Sequence, residues 1–298
     1  MILALMLVNP GYRKHRTGED EKMLKRITLL LPLLVGSFFF TGTNELDAAR
    51  CQTSGFLLKT TTCTYSSMLL EALPGTFRNV KYQVPEGTPP AGGWPVVIVY
   101  QGSFFPVEFT RTEGTPFGGY YELQVIERML NNGFAVIAPD AAADLFWETN
   151  LPGFSIAYEL SGDYRYLTNL FAAIRKGTFG PINPNKKFAT GVSSGGYNTS
   201  RMAVSFPGEF KALAIQSGSY ATCGGPLCIV PTLPANHPPT YFLHGWLDIV
   251  VPWWTMDLYY EKLRSQGIPT GLYTDYFAGH GWFSASPDKI YAWFNQYR

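Results

Sequence analysis

The chain has 298 residues, 46% of them hydrophobic and only 15% charged, with a formal net charge of +1. That is enough apolar material for one large α/β domain or two small ones, and it excludes an intrinsically disordered chain. No basic excess points to nucleic acid, and no acidic run interrupts the sequence. Aromatic residues reach 15%. Much of that must pack a core, and the rest is available to line an apolar site.

The first feature along the chain is an address. From Met23, Lys25 and Arg26 precede an apolar run from Ile27 to Phe40. Pro32 and Gly36 leave that run too short to span a bilayer, and the charge placement fits a secretory signal. Small residues follow, and cleavage is expected between Gly42 and Arg50. Residues 1–49 are read as an N-terminal extension and signal peptide, and residues 50–298 as a single secreted, extracellular domain with no membrane span. The residues before Met23 do not fit an ordinary signal. Without the extension the chain is formally neutral.

All four cysteines come after this segment: Cys51, Cys63, Cys223 and Cys228. An even count in a secreted chain favours two disulfides. Three pairings are open, and proximity favours Cys51–Cys63 with Cys223–Cys228. The spacing in "CGGPLC" is not that of a zinc site, and no His lies close. Neither a metal nor a cofactor is expected.

The mature chain shows no repeat. "FLLKTTTCTYS" and "FRNVKYQVP" suit antiparallel strands at one sheet edge. "VPEGTPPAGGWP" is a turn-rich loop. Beyond it, "WPVVIVYQG" reads as a fully buried strand. "YYELQVIERMLNNG" has helical spacing up to Gly133, "FAVIAPD" is a strand, and "YRYLTNLFAAIRKG" is a helix stopped by Gly177. "KKFATGVSS", "KALAIQSG", "PTYFLHG" and "LYTDYF" are further strands. Helices are expected at Ser194–Phe206, at Trp254–Gln266 and from Pro287 onward. This alternation predicts an α/β fold, a mostly parallel central sheet with helices on both faces. In such a sheet, reactive groups sit beyond the carboxyl ends of the strands.

Gly191-Val192-Ser193-Ser194-Gly195 lies between a predicted strand and a predicted helix, the setting that a G-x-S-x-G nucleophile turn requires. Flanking glycines are needed because a side chain there would meet neighbouring backbone. Gly196 lets the helix pack closely. Ser193 is the expected nucleophile, and the Ser194 N–H, at a helix N-terminus, is an expected oxyanion donor. A serine hydroxyl needs a base, and in this architecture the chain order is Ser, Asp or Glu, His. His280, in the glycine-flanked loop "YFAGHGW", is the candidate base. His237 sits in a proline-bound loop expected to be exposed, and His244 is expected to shape a turn. Asp248, just past "TYFLHG", is the candidate acid that orients the imidazole. Asp140 and Asp144 precede the serine, Asp257 falls on a helix and Asp275 within a strand. The second oxyanion donor is expected after "VVIVYQG", from the N–H of Ser103 or its neighbour beside Gly102. Many esterases carry His-Gly at this point, whereas this chain has Gln101-Gly102.

Taken together, these residues resemble the α/β-hydrolase superfamily. Closer still, "GVSSGGYNTSRMAVSFPGEFKALAIQSGSYATCGGPLC" and "YFLHGWLDIVVPW" resemble the extracellular medium-chain-length polyhydroxyalkanoate depolymerases of bacteria. The likeness runs through nearly the whole chain from Cys51. It implies secretion, a triad of Ser193, Asp248 and His280, and hydrolysis of poly(3-hydroxyoctanoate)-like polyesters. The expected partner is then an insoluble polyester surface. Aromatic stretches that follow strands, "GSFFP", "DLFWETNLPGF", "VVPWW" and "GHGWF", are candidates to rim the site. At least half of those aromatics are expected to be ordinary core.

Overall fold

The computed structural model describes residues 49–151, 157–223 and 228–298. Residues 1–48, which hold all but the last residue of the expected signal segment, lie outside these residues. Two short strands open the described chain, β1 (Cys51–Ser54) and β2 (Thr60–Cys63). Strands β3 (Ser66–Leu73), β4 (Thr76–Gln83), β5 (Trp94–Tyr100) and β6 (Thr110–Thr112) follow. Helix α1 (Gly119–Leu130), β7 (Ala135–Pro139), α2 (Gly162–Arg175), β8 (Ile182–Val192) and α3 (Ser194–Ser205) form the middle. The chain continues through β9 (Ala212–Gln216), β10 (Thr240–Gly245), α4 (Trp253–Ser265), β11 (Thr270–Asp275) and α5 (Ser286–Gln296).

Eight strands make the main sheet, in the order β11-β10-β9-β8-β5-β7-β4-β3. From β11 to β7 all neighbours are parallel, and β4 and β3 join antiparallel. The central strands are buried on both faces, which is why they read as unbroken apolar runs. Strand β5 shows the period of two. Val96, Ile98 and Tyr100 pack with Leu167, Leu170 and Phe171 of α2 and Met202 of α3. Val97 and Val99 face the other way, toward Leu123, Ile126 and Met129 of α1 and Ile290 and Phe294 of α5. Helix α4 adds Met256, Tyr259 and Leu263 to a third cluster around Phe242.

The expected sheet edge needs correction. "FRNVKYQVP" does supply β4, but its outer partner is β3, which had no strand signal. Edge strand β3 buries one residue of eight, so no apolar alternation marks it. The threonine-rich stretch instead forms β2, the middle of a separate three-stranded sheet with β1 and β6. There Cys51 lies opposite Cys63 in register, and a disulfide joins them. Cys223 and Cys228 form the second disulfide. Among the described residues no helix is long and apolar enough to cross a membrane, and no cluster of His, Cys, Asp and Glu could hold a metal ion.

Candidate active site

Strand β8 ends at Val192 and α3 begins at Ser194, so Ser193 alone makes the turn. Its backbone sits at φ 57 and ψ −120. This is left-handed territory that a non-glycine residue enters only under constraint. The constraint is close packing. A Cβ on Gly195 would lie 2.2 Å from the Tyr100 carbonyl oxygen, and one on Gly191 would lie 2.6 Å from the same atom. On Gly196 it would approach the Gln216 carbonyl oxygen to 2.9 Å. Glycines at these positions bring β5, β8, β9 and α3 together beneath the serine. Ser193 remains half-buried, whereas Ser194 is buried and its Oγ accepts the Trp147 N–H at 2.9 Å.

The candidate acid and the candidate base come from loops after adjacent strands. Asp248 follows β10 and His280 follows β11. Backbone bonds lace the loops side by side, Trp246 N–H to the Asp275 carbonyl and Leu247 N–H to the Ala278 carbonyl. Asp275, a rival in the sequence, turns out to cap the His280 loop by accepting the N–H groups of Phe277 and Ala278. His280 Nδ1 donates to Asp248 Oδ2 at 2.8 Å. The other oxygen, Oδ1, accepts the N–H groups of Val250 and Val251 at 2.9 and 2.8 Å. Burial by itself would raise the Asp248 pKa. The bonds from His244, His280 and the Val251 N–H outweigh it and hold the carboxyl well below the usual carboxylate range. A fixed carboxylate on Nδ1 leaves Nε2 of His280 as the nitrogen that can take a proton.

His244 shapes the turn, as expected. It is fully buried on β10, and its Nε2–H donates to the Val251 carbonyl at 2.8 Å and lies 3.4 Å from Asp248 Oδ2. His237 is the exception to the sequence reading. It is 5% exposed, between the Pro238 carbonyl and the Tyr259 hydroxyl, and burial lowers its pKa to about 4. The prolines around it fold the loop onto α4 rather than into solvent.

Gly102 carries the loop after β5 past the serine, and a Cβ there would come within 3.9 Å of Ser193 Cβ. In this loop the Phe104 N–H is committed to the Leu145 carbonyl and the Phe105 N–H to the Gly102 carbonyl. No carbonyl among the described residues takes the Ser103 N–H. The Ser194 N–H opens α3, where a helix has no internal acceptor for it. Gln101, in place of a histidine, is buried and braces the loop. Its Oε1 accepts the Ala141 N–H, and its Nε2 donates to the Asp144 carbonyl.

Phe117 carried no sequence signal. It stands edge-on to His280 at 6.1 Å between ring centroids and packs on Phe105 at 4.7 Å. Of the expected rim, Trp147, Trp282 and Phe283 are core. Phe104, Leu145, Val250 and Trp254 of the expected stretches are exposed, and the loops after β10 and β11 also expose Trp246, Leu247, Ile249, Tyr276 and Phe277. Ile249 and Phe277 exceed 90% exposure. These residues flank Asp248 and His280 with an apolar, uncharged surface.

No protein-family model matches the sequence. The fold is shared with the acylaminoacyl peptidase of Pyrococcus horikoshii, at TM-score 0.56 and 16% identity over 79% of this chain and 40% of that one. It is shared too with an acetyl xylan esterase from Aspergillus awamori, at TM-score 0.53 and 18% identity over 77% and 99% of the respective chains. Sequence kinship is far stronger with the poly(3-hydroxyoctanoate) depolymerase of Pseudomonas fluorescens, 58% identical over 273 residues, or 90% of this chain and 98% of that protein. At that identity and coverage the shared ancestry extends through nearly the whole chain, and the chain belongs to the poly(3-hydroxyoctanoate) depolymerase family, built on the α/β-hydrolase fold.

Proposed function

We propose that this chain is a secreted serine hydrolase that cleaves the ester bonds of medium-chain-length polyhydroxyalkanoates. In this reading residues 1–49 direct export and residues 50–298 are the catalytic domain. Ser193 Oγ attacks the ester carbonyl carbon while His280 Nε2 accepts its proton. The resulting oxyanion takes hydrogen bonds from the N–H groups of Ser194 and Ser103. Collapse expels the alcohol end of the polymer, which takes the proton from His280 and leaves an acyl group on Ser193. Water then attacks that ester, again giving its proton to Nε2, and Ser193 leaves with it. Asp248 holds the ring tautomer and stabilises the imidazolium in both halves.

The observation that carries the proposal is the strained turn at Ser193 together with an imidazole whose Nδ1 is bound to a carboxylate, each placed beyond the carboxyl end of its strand. The apolar surface around the acid and base loops suits a water-insoluble polyester, since burying apolar surface stabilises contact by about 25 cal/mol per Å². The substrate assignment draws support from the relative in Pseudomonas fluorescens, and secretion from the two disulfides.

The test is Ser193→Ala in the purified protein, assayed on a soluble octanoate ester and on a latex of medium-chain polyester. Hydrolysis is expected to fall by several orders of magnitude on both, because triad members act as a unit. Adsorption to the latex is expected to persist. Full activity in the variant would move the nucleophile to Ser194.

A further inference from the structure

We infer that Gln216 and Ser217, at the carboxyl end of β9, are the positioning residues that set His280 against Ser193. The inference rests on the roles proposed for those two residues. It goes further by assigning work to a dipeptide that touches neither the substrate nor the reacting atoms.

Both residues are fully buried. Backbone from this dipeptide serves the nucleophile. The Gln216 carbonyl accepts the Ser193 N–H at 3.1 Å, and that oxygen is also what a side chain at Gly196 would strike. The side chains serve the base. Gln216 Nε2 donates to the Gly281 carbonyl at 2.8 Å, and Ser217 Oγ donates to the same oxygen at 3.1 Å. The Gly281 N–H donates back to Ser217 Oγ at 3.2 Å. Gly281 directly follows His280, so its backbone N–H and carbonyl both end on this dipeptide. On its far side Gly281 is packed against Phe117, where a Cβ would lie 2.5 Å from the Phe117 carbonyl oxygen. The Trp282 N–H donates to that oxygen at 2.9 Å.

Gln216 is itself held firmly. Its Nε2 reaches the Leu243 carbonyl at 3.3 Å, and its Oε1 accepts the Ser286 hydroxyl at 2.8 Å. A buried amide with its donors and acceptor engaged is a rigid support. Ser217 sits at φ 44, a left-handed conformation that glycine would adopt without strain. Strained non-glycine residues gather at functional sites and persist only where their surroundings over-determine them. What serine adds over glycine is a hydroxyl, and that hydroxyl both donates to and accepts from the backbone of Gly281. Asp248 sets the tautomer and ring orientation of His280 through Nδ1. The dipeptide sets the height of the backbone that carries the ring.

The experiment compares Ser217→Ala, Ser217→Gly and a distant core control, Ile174→Val, on a soluble p-nitrophenyl octanoate. For each we would measure kcat, KM, Tm and the proton resonance of His280 Nδ1–H. Misplacing a reacting group by about 1 Å loses up to about 100-fold in rate. Both Ser217 variants are therefore expected to lower kcat roughly 10- to 100-fold, with KM within about twofold and the Nδ1–H resonance shifted or broadened. Ser217→Gly relieves the backbone strain, so a kcat loss there follows the hydroxyl and not stability. It also decides the matter should Ser217→Ala fail to fold. The inference is overturned if Ser217→Gly keeps kcat within about threefold of wild type, or if Ile174→Val loses kcat in the same proportion to its Tm. An inactive Ser193→Ala beside a fully active Ser217→Gly would sink this inference alone. An active Ser193→Ala would remove the roles on which it stands.

Discussion

Glu122 lies in the first turn of α1, only 3% exposed, with Oε1 accepting the Trp282 indole N–H at 3.1 Å. Burial pushes this carboxyl up to about 7 from its ordinary 4.5, against the opposing pull of Arg111 and the indole. A carboxyl with a raised pKa binds its proton more tightly in the folded state. The fold therefore loses stability as pH rises from 4.5 to 7, keeps all of it below that window, and loses nothing further above it. The two values differ by the equivalent of about 3 kcal/mol. Glu122→Gln retains a carbonyl acceptor for Trp282 and removes the charge. The variant is expected to match wild type near pH 4.5 and to exceed it by about 3 kcal/mol at pH 8. In a domain of this size roughly 2–4 °C accompanies each kcal/mol, so its Tm at pH 8 should be higher by about 6–12 °C. Calorimetric scans of both proteins at pH 4.5 and pH 8 measure it directly. A Tm difference that stays constant between the two pH values would mean that Glu122 titrates alike in the folded and unfolded chain, and the account of its burial would be wrong.

Asp248→Asn should leave the fold intact, because a carbonyl oxygen can still accept the Val250 and Val251 N–H groups, but it offers His280 Nδ1 the wrong partner. A kcat loss of about 10⁴-fold with little change in KM is expected, and retention of a tenth of wild-type kcat would argue against the pairing. Serine at both Cys51 and Cys63 opens a disulfide that spans 12 residues, and guanidinium unfolding should show a loss of about 3 kcal/mol. An unchanged midpoint would mean that the hairpin does not contribute to global stability. Soluble esters of graded acyl length should show kcat/KM rising toward octanoyl, by up to roughly fourfold per buried methylene, whereas a maximum at acetyl would favour a different esterase class.

Much of this protein follows from local pattern. Unbroken apolar runs such as Val96–Tyr100 can be stable only with both faces covered, so a parallel sheet flanked by helices is legible from one dimension. Chain order and the strand-turn-helix context mark Ser193, Asp248 and His280 as candidates, because each follows a predicted strand at its carboxyl end. Only tertiary structure decided the rest. Edge strand β3 is mostly solvated, so no periodicity announces it, and its partner is set by pairing with β4. His237 looked exposed between prolines, yet it is buried because Tyr259, far along the chain, supplies its hydrogen bond. Phe117, Glu122, Gln216 and Ser217 have no motif. Their importance lies in which atoms they meet across the sheet, and such contacts arise from packing between segments remote in sequence, which no local periodicity encodes.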